Sequence, residues 1–345
     1  MGLRGYILKR LAYTAISIIA ILSINFIIFY LMPGDPMEFF MGRPGAIHDP
    51  ELVKRMYHQW GFDVPLHERY FKYLVNMLTF QFGYSNTPGQ PTVLSLVIER
   101  VPNTLLLMGV STVLAIVIGI ILGVYSAHRR GGYFDTTMVT SSLVLFALPV
   151  FWIGMMIIGV FAMNLKWFPP GMTLPQEWVL PGPWPAPLTT FNVSGWQITI
   201  PGLVEIAGRL RHLFLPALTL TLFQYGNFLL LTRATMLEAL TEDYIVTARA
   251  KGIKERAVLF RHALKNASLP IITSSALSIA TILSGAMITE TVFNWPGIGQ
   301  LTFRSITIYD YPVLHVLFYV EAVIVVLGNF FADLLYGVVD PRIKY

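Results

Sequence analysis

The chain has 345 residues, 55% hydrophobic and only 12% charged, with a mean hydropathy of +0.62 and a formal net charge of +5. A soluble globular protein carries roughly 25% charged residues, so this composition excludes a soluble fold, and its apolar runs of about 20 residues point to a polytopic helical membrane protein. The absence of cysteine excludes disulfides, thiol catalysis and cysteine-ligated metals, and the small positive excess does not indicate a nucleic-acid partner.

Arg4, Lys9 and Arg10 precede an uncharged run, Leu11–Met32. The run is longer than the apolar core of a signal peptide, and Pro33-Gly34-Asp35-Pro36 follows it rather than a small-residue cleavage site. It therefore reads as a retained first span. The polar region 33–100 comes next. Helices are predicted in it at Asp49–Trp60, with Asp49 as cap and Pro50 in the first turn, and at Leu66–Phe80. Span two is predicted at Asn103–Tyr125, followed by a turn holding His128, Arg129, Arg130 and Gly131-Gly132. Span three, Thr137–Met163, contains Pro149. The segment 164–212 is rich in Pro, Gly and Trp, and the alternation over Trp196–Ile200 fits a short strand. Span four is predicted at Leu213–Thr232, span five at Ile271–Ile288 and span six at Val313–Leu335. A short loop with Asn294-Trp295-Pro296-Gly297 separates the last two.

Between spans four and five, Glu242 to Pro270 is too charged for lipid and too patterned for a slack loop. Asp243 is placed to cap a helix. Tyr244–Lys251 has no breaker, Gly252 interrupts as a C-terminal glycine does, and Lys254–Lys265 resumes helically. There Val258, Leu259, Ala263 and Leu264 lean one way and Lys254, Arg261 and Lys265 another. Pro270 is expected to close the stretch. The pattern is that of a helix–glycine turn–helix hairpin at a membrane surface, serving either as an amphipathic rim on anionic lipid or as a docking handle. The acidic Glu242, Asp243 and Glu255 and the glycine break favour the handle.

Basic residues near span ends set orientation. The N-terminal tail, the turn after span two, the segment Arg233–Lys265 with its seven basic residues, and the C-terminal Arg342 and Lys344 all fall on one side if there are six spans. Both termini are then cytoplasmic, and 33–100, 164–212 and 289–312 face outward. The expected fold class is an all-α polytopic membrane protein of six transmembrane helices. The divisions are a cytoplasmic tail and first span (1–32), an extracytoplasmic region (33–100) and a core (101–345) with outer loop 164–212 and a cytoplasmic loop 237–269.

There is no phosphate-cradling G-x-x-x-x-G-K-[ST] and no paired-histidine metal motif. Gly119 and Gly123 form a GxxxG, read as ordinary helix packing. Glu321 falls inside span six, where an ionisable group is costly and usually faces a cavity or partner; Asn329 and Asp333 follow toward its inner end. Glu290 lies near the outer end of span five. Glu290, Glu321 and Asn329 are candidates for a translocation path or gate, against hydrogen bonding between helices. The tryptophans of the outer loop (Trp167, Trp178, Trp184, Trp196) read as interfacial anchors before aromatic platforms for a sugar.

A set of motifs then resembles one family. They are Met32-Pro-Gly-Asp-Pro36, Gly61-Phe-Asp-Val-Pro-Leu66 with Tyr70 and Tyr73, Phe82-Gly-Tyr-Ser85 and Arg100-Val-Pro-Asn-Thr-Leu105. Further along come Asp243-Tyr-Ile-Val-Thr-Ala-Arg-Ala-Lys-Gly252, Arg261-His-Ala-Leu-Lys-Asn266, Glu290-Thr-Val-Phe293, Pro296-Gly-Ile-Gly299 and Asp340-Pro-Arg-Ile-Lys-Tyr345. Over nearly its whole length the chain resembles the membrane subunit of ATP-binding-cassette importers of the dipeptide/oligopeptide group, in its B-type permease form. The resemblance implies a cell-membrane, multi-pass transport subunit without an enzymatic activity or cofactor of its own. ATP and Mg would bind to partner ATPase subunits. It implies coupling through Asp243, Tyr244, Thr247, Ala248, Arg249, Ala250, Lys251, Gly252, Ile253 and Lys254. The general importer pattern of Glu-Ala-Ala before the glycine reads Val246-Thr247-Ala248 here, a departure the peptide group shares. Implied partners are a second homologous permease forming a heterodimer, one or two cytoplasmic ATPases, an extracytoplasmic substrate-binding protein and the lipid bilayer. Di- or oligopeptides are the implied cargo, with oligosaccharides, nickel complexes or glutathione as alternatives. The reading from another class is an ion-driven secondary transporter carrying protons on Glu290 and Glu321, which predicts related halves.

Overall fold

The computed structural model describes residues 3–30, 51, 54, 57–58, 63–87, 89, 91–175, 189–193, 196–282 and 285–339. The motif at 32–36, most of the helix expected at 49–60, Trp178, Trp184 and the C-terminal 340–345 lie outside them.

The elements in chain order are α1 (Leu3–Tyr30), α2 (Leu66–Leu78), α3 (Val93–His128), α4 (Tyr133–Ala147) and α5 (Val150–Ile157), which continues as a π-helical turn over Ile158–Asn164. Strands β1 (Thr189–Val193) and β2 (Trp196–Ile200) follow, then α6 (Leu203–Ala239), α7 (Asp243–Ala250), α8 (Glu255–Ala257) with a π turn Val258–Ala263, and α9 (Leu264–Ala280). The last are α10 (Met287–Val292), α11 (Ile298–Ile308) and α12 (Tyr311–Val339). The two strands pair antiparallel with Val193 opposite Trp196, so the alternation over Trp196–Ile200 does form a strand, and among the described residues every other named element is a helix.

Among the described residues, four helices are long and apolar enough to cross a membrane: Gly5–Tyr30, Val93–His128, Leu203–Ala239 and Tyr311–Phe331. The predicted third span is instead a pair, α4 and α5, bent by 105°. Pro149 is the cause: it holds Leu148 in extended backbone at φ −83°, ψ 139°, away from the helical region that a residue before proline avoids. The predicted fifth span divides into α9 and the six-residue α10, with Gly285 at φ +71° between them. Spans two and four run further than predicted. At 1.5 Å per residue the 37 residues of α6 reach about 55 Å, against a hydrocarbon core of about 30 Å.

The chain divides into two compact units. The first comprises Met1–Leu105, Ala276–Met287 and Gly297–Tyr345. Its core joins Leu22, Phe26 and Phe29 of α1 to Tyr73 and Met77 of α2 and to Val313, Val316 and Leu317 of α12. Asn25, buried in α1, donates to the carbonyl of His315 (3.1 Å) and to the Tyr73 hydroxyl (3.3 Å). Further along, Arg10 pairs with Asp333 at 2.7 Å, so Asp333 ties α12 to α1. Asp310 precedes α12, and its carboxylate accepts from Ser85 Oγ (2.5 Å) and from the Asn86 amide (3.2 Å). That fastens the Phe82-Gly-Tyr-Ser85 motif to the start of the helix. Burial pushes the Asp310 carboxyl up, and the bonds from Ser85, Asn86 and the Val313 amide work against that rise.

The second unit comprises Leu106–Ser275 and Ile288–Pro296. Here α6 packs on α4 and α5, and α3 meets it through the GxxxG. A Cβ on Gly119 would stand 2.5 Å from Phe228 Cβ, and one on Gly123 2.6 Å from Thr232 Cβ. The motif is a close-packing device between helices of one chain, as read.

Candidate functional site: the glycine hairpin

The hairpin is built as α7, a glycine turn and α8 with its π turn. Glu242, not Asp243, occupies the position before the helix, in extended backbone at φ −75°, ψ 147° and without a side-chain cap; Asp243 is the first helical residue. Its carboxylate is still suited to the positive end of the helix. At the far end the Gly252 amide donates to Arg249 O (2.9 Å) and the Ile253 amide to Ala248 O (3.3 Å). This pair of bonds is the Schellman closure, and it requires left-handed backbone at the residue after the cap. Gly252 supplies it at φ +72°, with nothing within 4 Å of where a Cβ would stand. The second arm does not end at Pro270, which lies inside α9. Proline has no N–H to give the carbonyl of Asn266, and the helix continues past it to Ala280.

The two faces differ sharply. Ile245, Ala248, Val258, Leu259, Ala263 and Ala267 are buried together with Val124 and Ala127 of α3 and Met236 and Ala239 of α6. The inner face is thus packed on the ends of two long helices. The outer face presents Asp243, Val246, Thr247, Arg249, Ala250, Lys251, Gly252 and Lys254, all exposed, with Tyr244 and Ile253 half-buried at the edges. Ala248 is the exception among the expected contact residues, since it is only 5% exposed and faces inward.

Two ion-paired clamps hold this arrangement, and sequence reading found neither. Across the turn, Arg249 grips Glu255 through Nη2 (2.7 Å) and Nε (3.2 Å). The same carboxylate lies 3.6 Å from His128 Nδ1 at the end of α3. The hydrogen bonds from Arg249 hold the Glu255 carboxyl below its ordinary value in spite of partial desolvation. Beside the hairpin, Arg233 of α6 binds Asp135 of α4 in bidentate fashion (2.6 and 2.8 Å). Asp135 also accepts from the Gly131 amide at 2.9 Å, so one buried carboxylate closes the basic turn and ties it to α6. A lone carboxylate at the head of one apolar run and a lone arginine at the tail of another were the signal available in the sequence.

The path candidates are placed separately. Glu290 is buried in α10, in the second unit. Glu321 is half-buried in α12 of the first unit and accepts from Thr302 Oγ1 at 3.3 Å. Asn329, on the same helix, is exposed. Glu321 therefore makes the helix-to-helix bond that was the alternative to a path role. Among the described residues no group of three His, Asp or Glu side chains is arranged to hold a metal ion.

Comparison with known proteins agrees with this geometry. Residues 115–345 match the model of the family described as "Binding-protein-dependent transport system inner membrane component", and residues 3–108 match that of its N-terminal region. The chain is 38% identical over 341 residues to the oligopeptide transport system permease protein AppB of Bacillus subtilis (strain 168), covering 99% of each. It is 35% identical over 341 residues to the di/tripeptide transport system permease protein DppB of Pseudomonas aeruginosa (strain UCBPP-PA14), again 99% of each. It is 34% identical over 340 residues to the dipeptide transport system permease protein DppB of Escherichia coli (strain K12), 99% of this chain and 98% of that one. A multi-pass helical chain bearing a clamped hairpin beside its long helices, and matched end to end by these proteins, belongs to the binding-protein-dependent transport system inner membrane permeases.

Proposed function

We propose that the chain is one of two permease subunits of an ATP-driven peptide importer, spanning the membrane six times with both termini inside, and that its hairpin receives the stroke of a cytoplasmic ATPase. The four long helices, the bent α4–α5 pair and the α9–α10 pair supply the six crossings. The region 33–100 and the loop 164–212 then lie outside, and the loop 237–269 lies inside. Di- and oligopeptides are the cargo named for the relatives, at 34–38% identity over the full length. The reading places the chain with a second, homologous permease, one or two ATPases and an extracytoplasmic binding protein. Glu290, Glu321 and Asn329 remain its path candidates, with Glu321 the weakest because Thr302 already uses its carboxylate.

The observation that carries the reading is the asymmetry of the hairpin. Its apolar face is consumed within the chain, so it does not need lipid to cover it. What remains outside is a short polar turn with one large exposed apolar side chain, Val246 at 62%, which suits a protein cleft better than an acyl layer. Val246→Glu tests it, because the side chain leaves the chain's own core untouched. In the reconstituted complex, ATPase co-purification and peptide uptake are expected to fall at least tenfold while thermal stability holds. Unchanged association and uptake, for this variant and for a bulky charged residue at Gly252, would remove the coupling assignment.

A further inference from the structure

A second feature of the same unit lies at the other end of α6. Arg211 and Ala239, the last residue before the hairpin turn, are separated by roughly 40 Å of continuous helix. A cavity of about 1010 Å³ opens there between the loop after the π turn, the start of α6 and the Phe293–Asn294 turn.

Its walls are fixed. Met172 donates its amide to Phe293 O (2.8 Å), and Gly171 approaches that carbonyl so closely that a Cβ would stand 2.1 Å from it. His212 donates from Nδ1 to Gly171 O at 2.7 Å, the only polarity a carbonyl acceptor permits. Phe168 stacks on Phe214 with centroids 4.3 Å apart. Three lining residues other than glycine, Lys166, Met172 and Asn294, have left-handed backbone at φ +55°, +68° and +47°. Only two further such residues occur among those described. Strained backbone of this kind is concentrated at binding sites, where the surroundings enforce it.

The lining is also one-sided in charge. Lys166 and Arg211 contribute two permanent cations, and among the described residues no carboxylate lines the cavity. Arg211 spends one Nη2 bond on the neutral carbonyl of Trp167, at 3.1 Å. Among the described residues, neither cation has a carboxylate within 4 Å, whereas the neighbouring Arg209 is paired with Glu205 at 2.7 Å. Phe168, Pro169, Pro170 and Phe293 supply apolar wall around them. Such walls raise the effective strength of a charge pair, and a guanidinium is the group best shaped for a carboxylate.

We propose that this cavity binds the C-terminal carboxylate of a small peptide on the extracytoplasmic side, with Arg211 and Lys166 on the carboxylate and the apolar wall against the last side chains. The volume is of the size of small-molecule sites and accommodates a di- or tripeptide. The inference rests on the peptide-importer reading for the side of the membrane and for the cargo, and it adds which chemical group of the cargo is recognised and where.

The test uses the assembled complex in nanodiscs without the binding protein. The probe is the tripeptide Ala-benzoylphenylalanine-Ala, as free acid and as C-terminal amide, with cross-links mapped by mass spectrometry. The free acid is expected to label 166–172 and 204–212, and the amide at least tenfold less. Arg211→Gln and Lys166→Asn should each reduce labelling by the acid at least fivefold, and neither should change labelling by the amide. Asparagine tolerates the left-handed backbone at 166, and Arg211→Lys keeps the charge; its partial recovery of labelling separates recognition from misfolding. Equal labelling by acid and amide, labelling elsewhere, or variants without effect would overturn the proposal. So would variants that weaken binding-protein association yet leave acid labelling intact, since the cavity would then serve an acidic side chain of that protein. Peptide uptake by the unmodified complex with its binding protein is read in parallel: intact ATP-driven uptake without acid-dependent labelling removes the cavity assignment alone, and absence of any such uptake removes the peptide-importer reading beneath it.

Discussion

Asp135 and Arg233 tie α4 to α6 in the second unit through a bidentate pair. Asp135 is 3% exposed and satisfies Arg233 and the Gly131 amide at once. Removing one member of a buried pair strands the other and costs about 3 kcal/mol or more. Asp135→Ala and Arg233→Ala should therefore each lower thermal stability sharply, while the double variant loses much less than the sum. A double-mutant cycle on the purified protein measures the coupling, and additive losses would contradict it. The Arg249–Glu255 clamp is more exposed, at 44% and 40% of the two side chains, so water screens it and its worth is only a few tenths of a kcal/mol. Its pH dependence has a definite sign. The Glu255 carboxyl is lowered in the folded chain, so its contribution is present above the ordinary glutamate value and is lost as pH falls through the lowered one. Amide exchange at Gly252 and Ile253, corrected for intrinsic rates, should quicken below about pH 4. Glu255→Gln should show the quicker exchange already at neutral pH.

At the scale of elements, what could be read in advance divides by whether the cause is local. The hairpin was legible because a glycine between two amphipathic runs carries its own explanation, and Gly252 does take the positive φ assigned to it. The bend after Leu148 follows from Pro149 in the same local way. Pro270 misled, because a proline reads as a terminator when the helix is judged without what packs on it. Asp243 misled as well, because the chain enters α7 one residue earlier than the preference for aspartate caps suggests. The Ser85–Asp310 bond, 225 residues apart in sequence, had no local sign at all. The contact between α3 and α6 lies between these cases: GxxxG announces close approach but not the partner. With Thr232 Cβ only 2.6 Å from an added Cβ, Gly123→Val should force the two helices apart at a cost of about 1–3 kcal/mol. The readout is thermal stability of the purified subunit, and an unchanged melting temperature would mean that the helices have room to spare.

For the whole molecule the open quantity is topology, and the sequence offers a clean means of settling it. The chain contains no cysteine, so any introduced thiol is a unique reporter. Six crossings with both ends inside require Val246→Cys to react with a membrane-impermeant maleimide only from the cytoplasmic side and Lys166→Cys only from the outer side. Reaction of both from one face would mean that α6, the long helix between the two positions, does not cross. The sequence pattern pointed to six spans through charge placement, while among the described residues the helices yield four long rods and one bent pair, and the predicted fifth span divides into α9 and α10. The breaks arise at Pro149 and near Gly285, where apolar length alone registers a continuous run.

The burial of the hairpin's inner face has a mechanical consequence. Ile245 and Val258, both fully enclosed, are held in one cluster with Met236 of α6 and Val124 of α3, and the Arg249–Glu255 bridge braces the turn from outside. A lever mounted this way has almost no play at its fulcrum. A displacement of an angstrom or two imposed on the turn cannot be absorbed by loop flexure and must reappear as a tilt of the long rods. Over the roughly 40 Å from Ala239 to Arg211, even a few degrees of tilt moves the far end by a few angstroms. Stiffness at the joint, more than any group at the surface of the turn, is what would keep the cycle of a remote motor in step with the opposite face of the membrane.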